Sequence, residues 1–90
     1  MVVIVVENAP EKLRGEMTRW LLEVKPGVFV GQVSATVREK LWQKICKDGH
    51  LIGALLIFSS DTEQGFFINL FGDPRRTIED IDGIQLVRIQ

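Results

Sequence analysis

The chain begins with five consecutive β-branched residues, Val2-Val3-Ile4-Val5-Val6, halted by Glu7-Asn8-Ala9-Pro10. Such a run, without polar alternation, predicts a strand buried on both faces. Asn8 suits a helix N-cap and Pro10 the first helical turn, where a missing N–H costs nothing. The spacing predicts a helix to about Glu23, because Leu13, Met17, Trp20, Leu21 and Val24 recur on one stripe. Lys12, Glu16, Arg19 and Glu23 share the opposite face. Pro26-Gly27 ends it before a short strand, Val28-Phe29-Val30, and Gly31 predicts a bend or bulge there.

Ser34 is the expected N-cap of a second helix to about Lys47, with Val37, Leu41, Trp42, Ile45 and Cys46 on its apolar side and Gly49 as a left-handed cap. Strands are predicted over Leu51 to Phe58, Phe66 to Phe71 and Ile84 to Ile89, the last entered through the turn Asp82-Gly83. The second and third strands must both come out of Glu23 to Val33. The class is α+β: a ferredoxin-like βαββαβ core, two helices on one face of a mixed sheet, with an additional C-terminal strand. The chain is expected to be one domain, with residues 1–77 as its body and 78–90 as a C-terminal segment of it.

Ninety residues give a thin core, which favours a homodimer covering exposed sheet. A single cysteine, Cys46, excludes an intrachain disulfide and a cysteine zinc cage. Val2 to Val6 is too short for a signal peptide, and Leu51 to Phe58 falls far below the roughly 20 apolar residues of a membrane span. The expected location is cytoplasmic, without membrane contact. With 11 basic and 12 acidic residues, any nucleic-acid contact must come from local clusters of Lys and Arg.

Glu7, at the carboxyl end of the first strand, reads either as a catalytic, metal-binding carboxylate, repeated by a dimer twofold, or as a helix-start acid favoured by the dipole. Lys12 and Arg14 run against that dipole in the first turn, which points to a partner anion; Gly15 beside them leaves a gap. The alternative is a solvated face with Gly15 at a helix–sheet contact. Arg75-Arg76, behind Asp73-Pro74, is a fork-bearing pair suited to phosphate, or a solvated surface pair. His50 reads as a turn residue, Cys46, Trp20 and Trp42 as packing, and Glu79, Asp80 and Asp82 as a solvated turn.

Together, residues 5 to 10, Leu13-Arg14-Gly15, Trp20 to Val24, Gly27 to Gly31, Val33-Ser34-Ala35, Arg38 to Trp42, Phe71 to Thr77 and Asp80 to Gly83 resemble the small CRISPR-associated spacer-acquisition family, Cas2, in its type I-E form. The resemblance implies a homodimer that bridges dimers of the CRISPR integrase, Cas1, and holds double-stranded protospacer DNA. By that resemblance the DNA-binding residues are Lys12, Arg14, Arg75 and Arg76. By the same resemblance residues 78–90 are the partner-docking segment, with Ile84, Leu86, Val87 and Ile89 as its docking residues and strand addition at a sheet edge as the expected mode. Many family members are classed as magnesium-dependent endonucleases acting on RNA or DNA, with an Asp closing the first strand. Glu7 stands there instead, without the neighbouring Asp or Tyr of the usual motif. A non-catalytic scaffold leads, a magnesium endonuclease using Glu7 is the alternative, and a toxin-like dimer is a third reading.

Overall fold

The computed structural model describes residues 1–90. Its elements are β1 (Val2–Glu7), α1 (Glu11–Thr18), β2 (Leu22–Lys25), β3 (Val28–Gly31), α2 (Ala35–Lys47), β4 (Gly53–Ser59), β5 (Phe66–Phe71), β6 (Arg76–Ile81) and β7 (Ile84–Ile89). Five strands form one sheet in the order β2-β3-β1-β4-β5, and β6 and β7 pair only with each other. The ferredoxin-like core is as expected. Every adjacent pair is antiparallel, where a mixed sheet was expected. Each helical crossover skips one position, so another strand separates the parallel neighbours.

Both helices pack on one face. Val2, Ile4 and Val6 of β1 meet Leu13 and Met17 of α1, Leu41 and Ile45 of α2, and Phe29, Ala54 and Leu56 of the flanking strands in a single cluster. β1 alternates buried and half-buried residues. Its second face, expected to be covered, is bare of helices. That face carries Val3 and Val5 beside Val28 and Val30 of β3 and Leu55 and Ile57 of β4, all half-buried.

The first helix stops at Thr18, well short of Glu23. Leu21 continues its stripe into the core, but Leu22 and Glu23 pair with Val30 and Phe29 instead. Cross-strand pairing with β3 outweighs the helical period, and Trp20 and Val24, expected in the core, are 52% and 56% exposed. The irregularity expected at Gly31 falls in β2, between Glu23 and Lys25. Gly27 turns at φ 82°, and a Cβ there would lie 2.5 Å from the Val6 carbonyl oxygen. The Val6 amide donates to the Gly27 carbonyl at 2.8 Å, which fixes the end of β1.

Pro10, not Asn8, is the N-cap of α1, without a side-chain cap; Asn8 adopts φ 59° and its amide donates to the His50 carbonyl. Ser34 caps α2 as expected, accepting from the Val37 amide. That helix ends in extended Asp48 rather than left-handed Gly49. Glu79 and Asp80, expected in a turn, belong to β6, which pairs along its whole length with β7 around the Asp82-Gly83 turn. Mixed charge along Arg76–Ile81 hid a strand exposed on most of its length. No helix is long and apolar enough to cross a membrane.

Candidate nucleic-acid interface

The carboxyl end of β1 is the centre of one site. Glu7 pairs across the sheet with Gly53, and Gly72, at φ 80°, turns the chain back after β5. A side chain at Gly53 would sit 3.9 Å from Glu7 Oε2 and 3.7 Å from Asp73 Cβ. Glycine there leaves a cleft of about 200 Å³ lined by Glu7, Asp73 and Arg76 above Val5, Leu55 and Leu70. Glu7 faces this cleft and does not cap α1.

Asp73 is the residue that sequence reasoning passed over. Its only signal was its place between Gly72 and Pro74, where an aspartate commonly opens a turn. Its Oδ1 accepts the Arg75 amide at 3.0 Å and its Oδ2 the Arg76 guanidinium at 2.9 Å. The amide first and the guanidinium second hold its carboxyl below the usual range. Arg75 is exposed, and its backbone carbonyl accepts from the Gln90 amide at 2.7 Å, which ties the end of the hairpin to this turn.

α1 spreads its two cations apart. Arg14 turns toward β2, where its Nε and Nη2 donate to Glu23 Oε2 at 3.2 and 3.0 Å. Glu23 also accepts the Gly27 amide at 3.0 Å; that bond foremost, then Arg14, lowers its pKa. The anion that Arg14 called for in sequence is therefore Glu23, within the same chain. Gly15 has open space beside it rather than a sheet contact, and shares a shallow concavity with Glu11, Arg14, Thr18 and Glu23. Lys12 lines a different hollow, between α1 and α2. Glu7 and Arg76 are thus brought together, whereas Lys12 and Arg14 look different ways.

The hairpin of β6 and β7 is held at the β5 edge by glutamines instead of strand pairing. Gln85 Oε1 accepts the Ile68 amide at 2.7 Å and its Nε2 donates to the Ile68 carbonyl at 3.2 Å. Gln64 exchanges two bonds with the Gln85 backbone, at 2.8 and 2.9 Å. Ile84, Leu86, Val87 and Ile89 remain 43–68% exposed. Residue 78 lies inside β6, and the hairpin of β6 and β7 runs from Arg76 to Ile89.

A magnesium ion needs a near-octahedral shell of oxygens. Within one chain the cleft offers Glu7 and an Asp73 already bonded to Arg76, whose cation lines the same space. These residues do not fit the ion.

A family model described as CRISPR-associated protein (Cas_Cas2CT1978) matches residues 1–86. Almost the whole fold lies inside that match, from β1 through the first half of β7. With the βαββαβ core and its appended strands in place, the chain belongs to the CRISPR-associated Cas2 family.

Proposed function

We propose that this chain serves CRISPR adaptation, in the manner of the type I-E branch, as a dimeric and non-catalytic scaffold that holds protospacer duplex and bridges integrase dimers. The observation that carries the reading is the uncovered apolar sheet face, with Val3, Val5, Val28, Val30, Leu55 and Ile57 half-buried opposite the helices. A contiguous apolar face of this kind marks an association surface, and a second copy of the face is its natural cover. Phosphates are gripped by Lys12, Arg14, Arg75 and Arg76, which position a duplex without reading it. Integrase docks on the hairpin through Ile84, Leu86, Val87 and Ile89. Each hairpin strand has a backbone edge with no strand partner, as strand addition requires.

Sedimentation of the wild-type chain is expected to give twice its 10.2 kDa mass. Ile57→Asp, which places a charge in the middle of the face, is expected to give the single mass with the circular-dichroism spectrum kept. A wild-type chain that stays monomeric at micromolar concentration contradicts the dimer.

A second reading has one observation in its favour: Glu7 and Asp73 line the same cleft. It makes the protein a magnesium-dependent endonuclease acting on single-stranded RNA or DNA. Since one chain's residues do not fit the ion, this reading needs Glu7 from each of two copies. It requires cleavage that stops in Glu7→Gln.

A further inference from the structure

Five of the cations of this slightly acidic chain lie along one surface that the scaffold reading leaves almost unused. Between α1 and α2 runs a hollow of about 510 Å³ whose walls include Lys12, Lys44, Lys47 and His50. A second hollow of about 260 Å³, lined by Arg19, Trp20 and Lys40, continues it. The two share Glu16 and Lys44, so they form one groove with a bridge in the middle, where Lys44 Nζ donates to Glu16 Oε2 at 2.8 Å. That bond, first, and the Lys44 charge hold the Glu16 carboxyl below its usual range.

Helical spacing builds the walls. Lys40, Lys44 and Lys47 stand at i, i+4 and i+7 on α2, and Lys12 and Arg19 stand seven residues apart, Arg19 being the C-cap of α1. Lys12, Arg19, Lys40 and Lys47 make none of the chain's ion pairs. The acids within the groove are Glu16, which bridges to Lys44, and Asp48, which bonds the His50 amide and lies 3.3 Å from its ring nitrogen. Seven residues of helix rise about 10 Å, which along a duplex axis covers about three phosphates of one strand. In the first hollow only Leu13 is a buried apolar residue, and the second adds Val37, Leu41 and the half-exposed Trp20 among its charged residues. Protein partners favour an apolar, aromatic interface core, whereas nucleic-acid interfaces are polar and strongly positive.

We propose that the α1–α2 groove is a second phosphate-backbone site, which takes a further segment of duplex through Lys12, Arg19, Lys40 and Lys47. The inference rests on the duplex-binding reading above and enlarges its footprint from the strand-end arginines to the helical face. Lys12, one of the four cations of that reading, lines this groove and not the strand-end cleft. Lys44, already neutralised by Glu16, contributes less.

The test is a salt titration of duplex binding, by fluorescence anisotropy with a short duplex of arbitrary sequence. It compares wild type, a groove variant (Arg19→Gln, Lys40→Gln, Lys47→Gln) and a strand-end variant (Arg75→Ala, Arg76→Ala). Glutamine keeps helix propensity, and circular dichroism checks the fold. The slope of log affinity against log salt falls by about 0.9 for each phosphate no longer neutralised, so the groove variant is expected to flatten it by about 2 to 3. Its affinity is expected to drop about tenfold or more. An unchanged groove variant beside a weakened strand-end variant overturns this inference and leaves the scaffold reading standing. A weakened groove variant beside an unchanged strand-end variant supports the groove and removes the arginine pair. Absence of duplex binding by wild type overturns both. Polyglutamate that binds wild type as tightly as duplex, and weakens as much in the groove variant, assigns the groove to an acidic protein and also overturns the inference.

Discussion

Replacing Arg14, Arg75 and Arg76 together by alanine is expected to lower the affinity of the integrase complex for duplex DNA about a hundredfold. Charge-assisted hydrogen bonds are worth about 1.5–3 kcal/mol each, and every phosphate left without its cation flattens the salt slope by about 0.9. Arg75 is exposed, with only its backbone engaged. Arg14 and Arg76 already hold Glu23 and Asp73, so binding phosphate means sharing or releasing those acids. Exposed pairs of this kind stabilise a fold by at most about 1 kcal/mol, so the variant is expected to keep its fold while releasing DNA. Anisotropy titration at several salt concentrations measures both quantities. Unchanged affinity and slope mean that the duplex is held elsewhere.

Phe29→Ala is expected to have the largest effect on stability. The ring is fully buried in β3, paired with Ile4 of β1 on one side and Glu23 of β2 on the other. Its removal leaves a cavity at the centre of the only core and costs about 3–5 kcal/mol, against about 5–15 for a whole domain. Trp20→Ala, by contrast, is expected to cost far less, because the indole is already half-exposed. Urea unfolding of the two variants decides between them. A larger effect at Trp20 than at Phe29 would mean that the helix runs on to Glu23 and buries the indole.

Those two aromatic residues also mark what was legible in the sequence. The apolar run of β1, the Ser34 cap and the Pro26-Gly27 and Asp82-Gly83 turns act through neighbouring residues, and each led to the right element. Leu22 to Lys25 misled, because its partner, β3, was needed to choose strand over helix. The same limit hid Asp73: only the pairing of Glu7 with Gly53 and the turn at Gly72 bring it to the strand end. Arg14 does have the anion its place in the helix demands, but Glu23 lies nine residues away and only the end of α1 at Thr18 brings it near. The lysines of α2 carried no signal of a groove in the sequence, because the groove exists only where α1 lies beside that helix.

A clamp on phosphate and a nuclease are separated most directly by array expansion in cells carrying the integrase and a CRISPR array. Glu7→Gln is expected to acquire spacers at the wild-type level, whereas the Arg14, Arg75 and Arg76 triple variant is expected to acquire none. Failure of acquisition in Glu7→Gln, with acquisition kept in the arginine variant, would contradict the phosphate clamp.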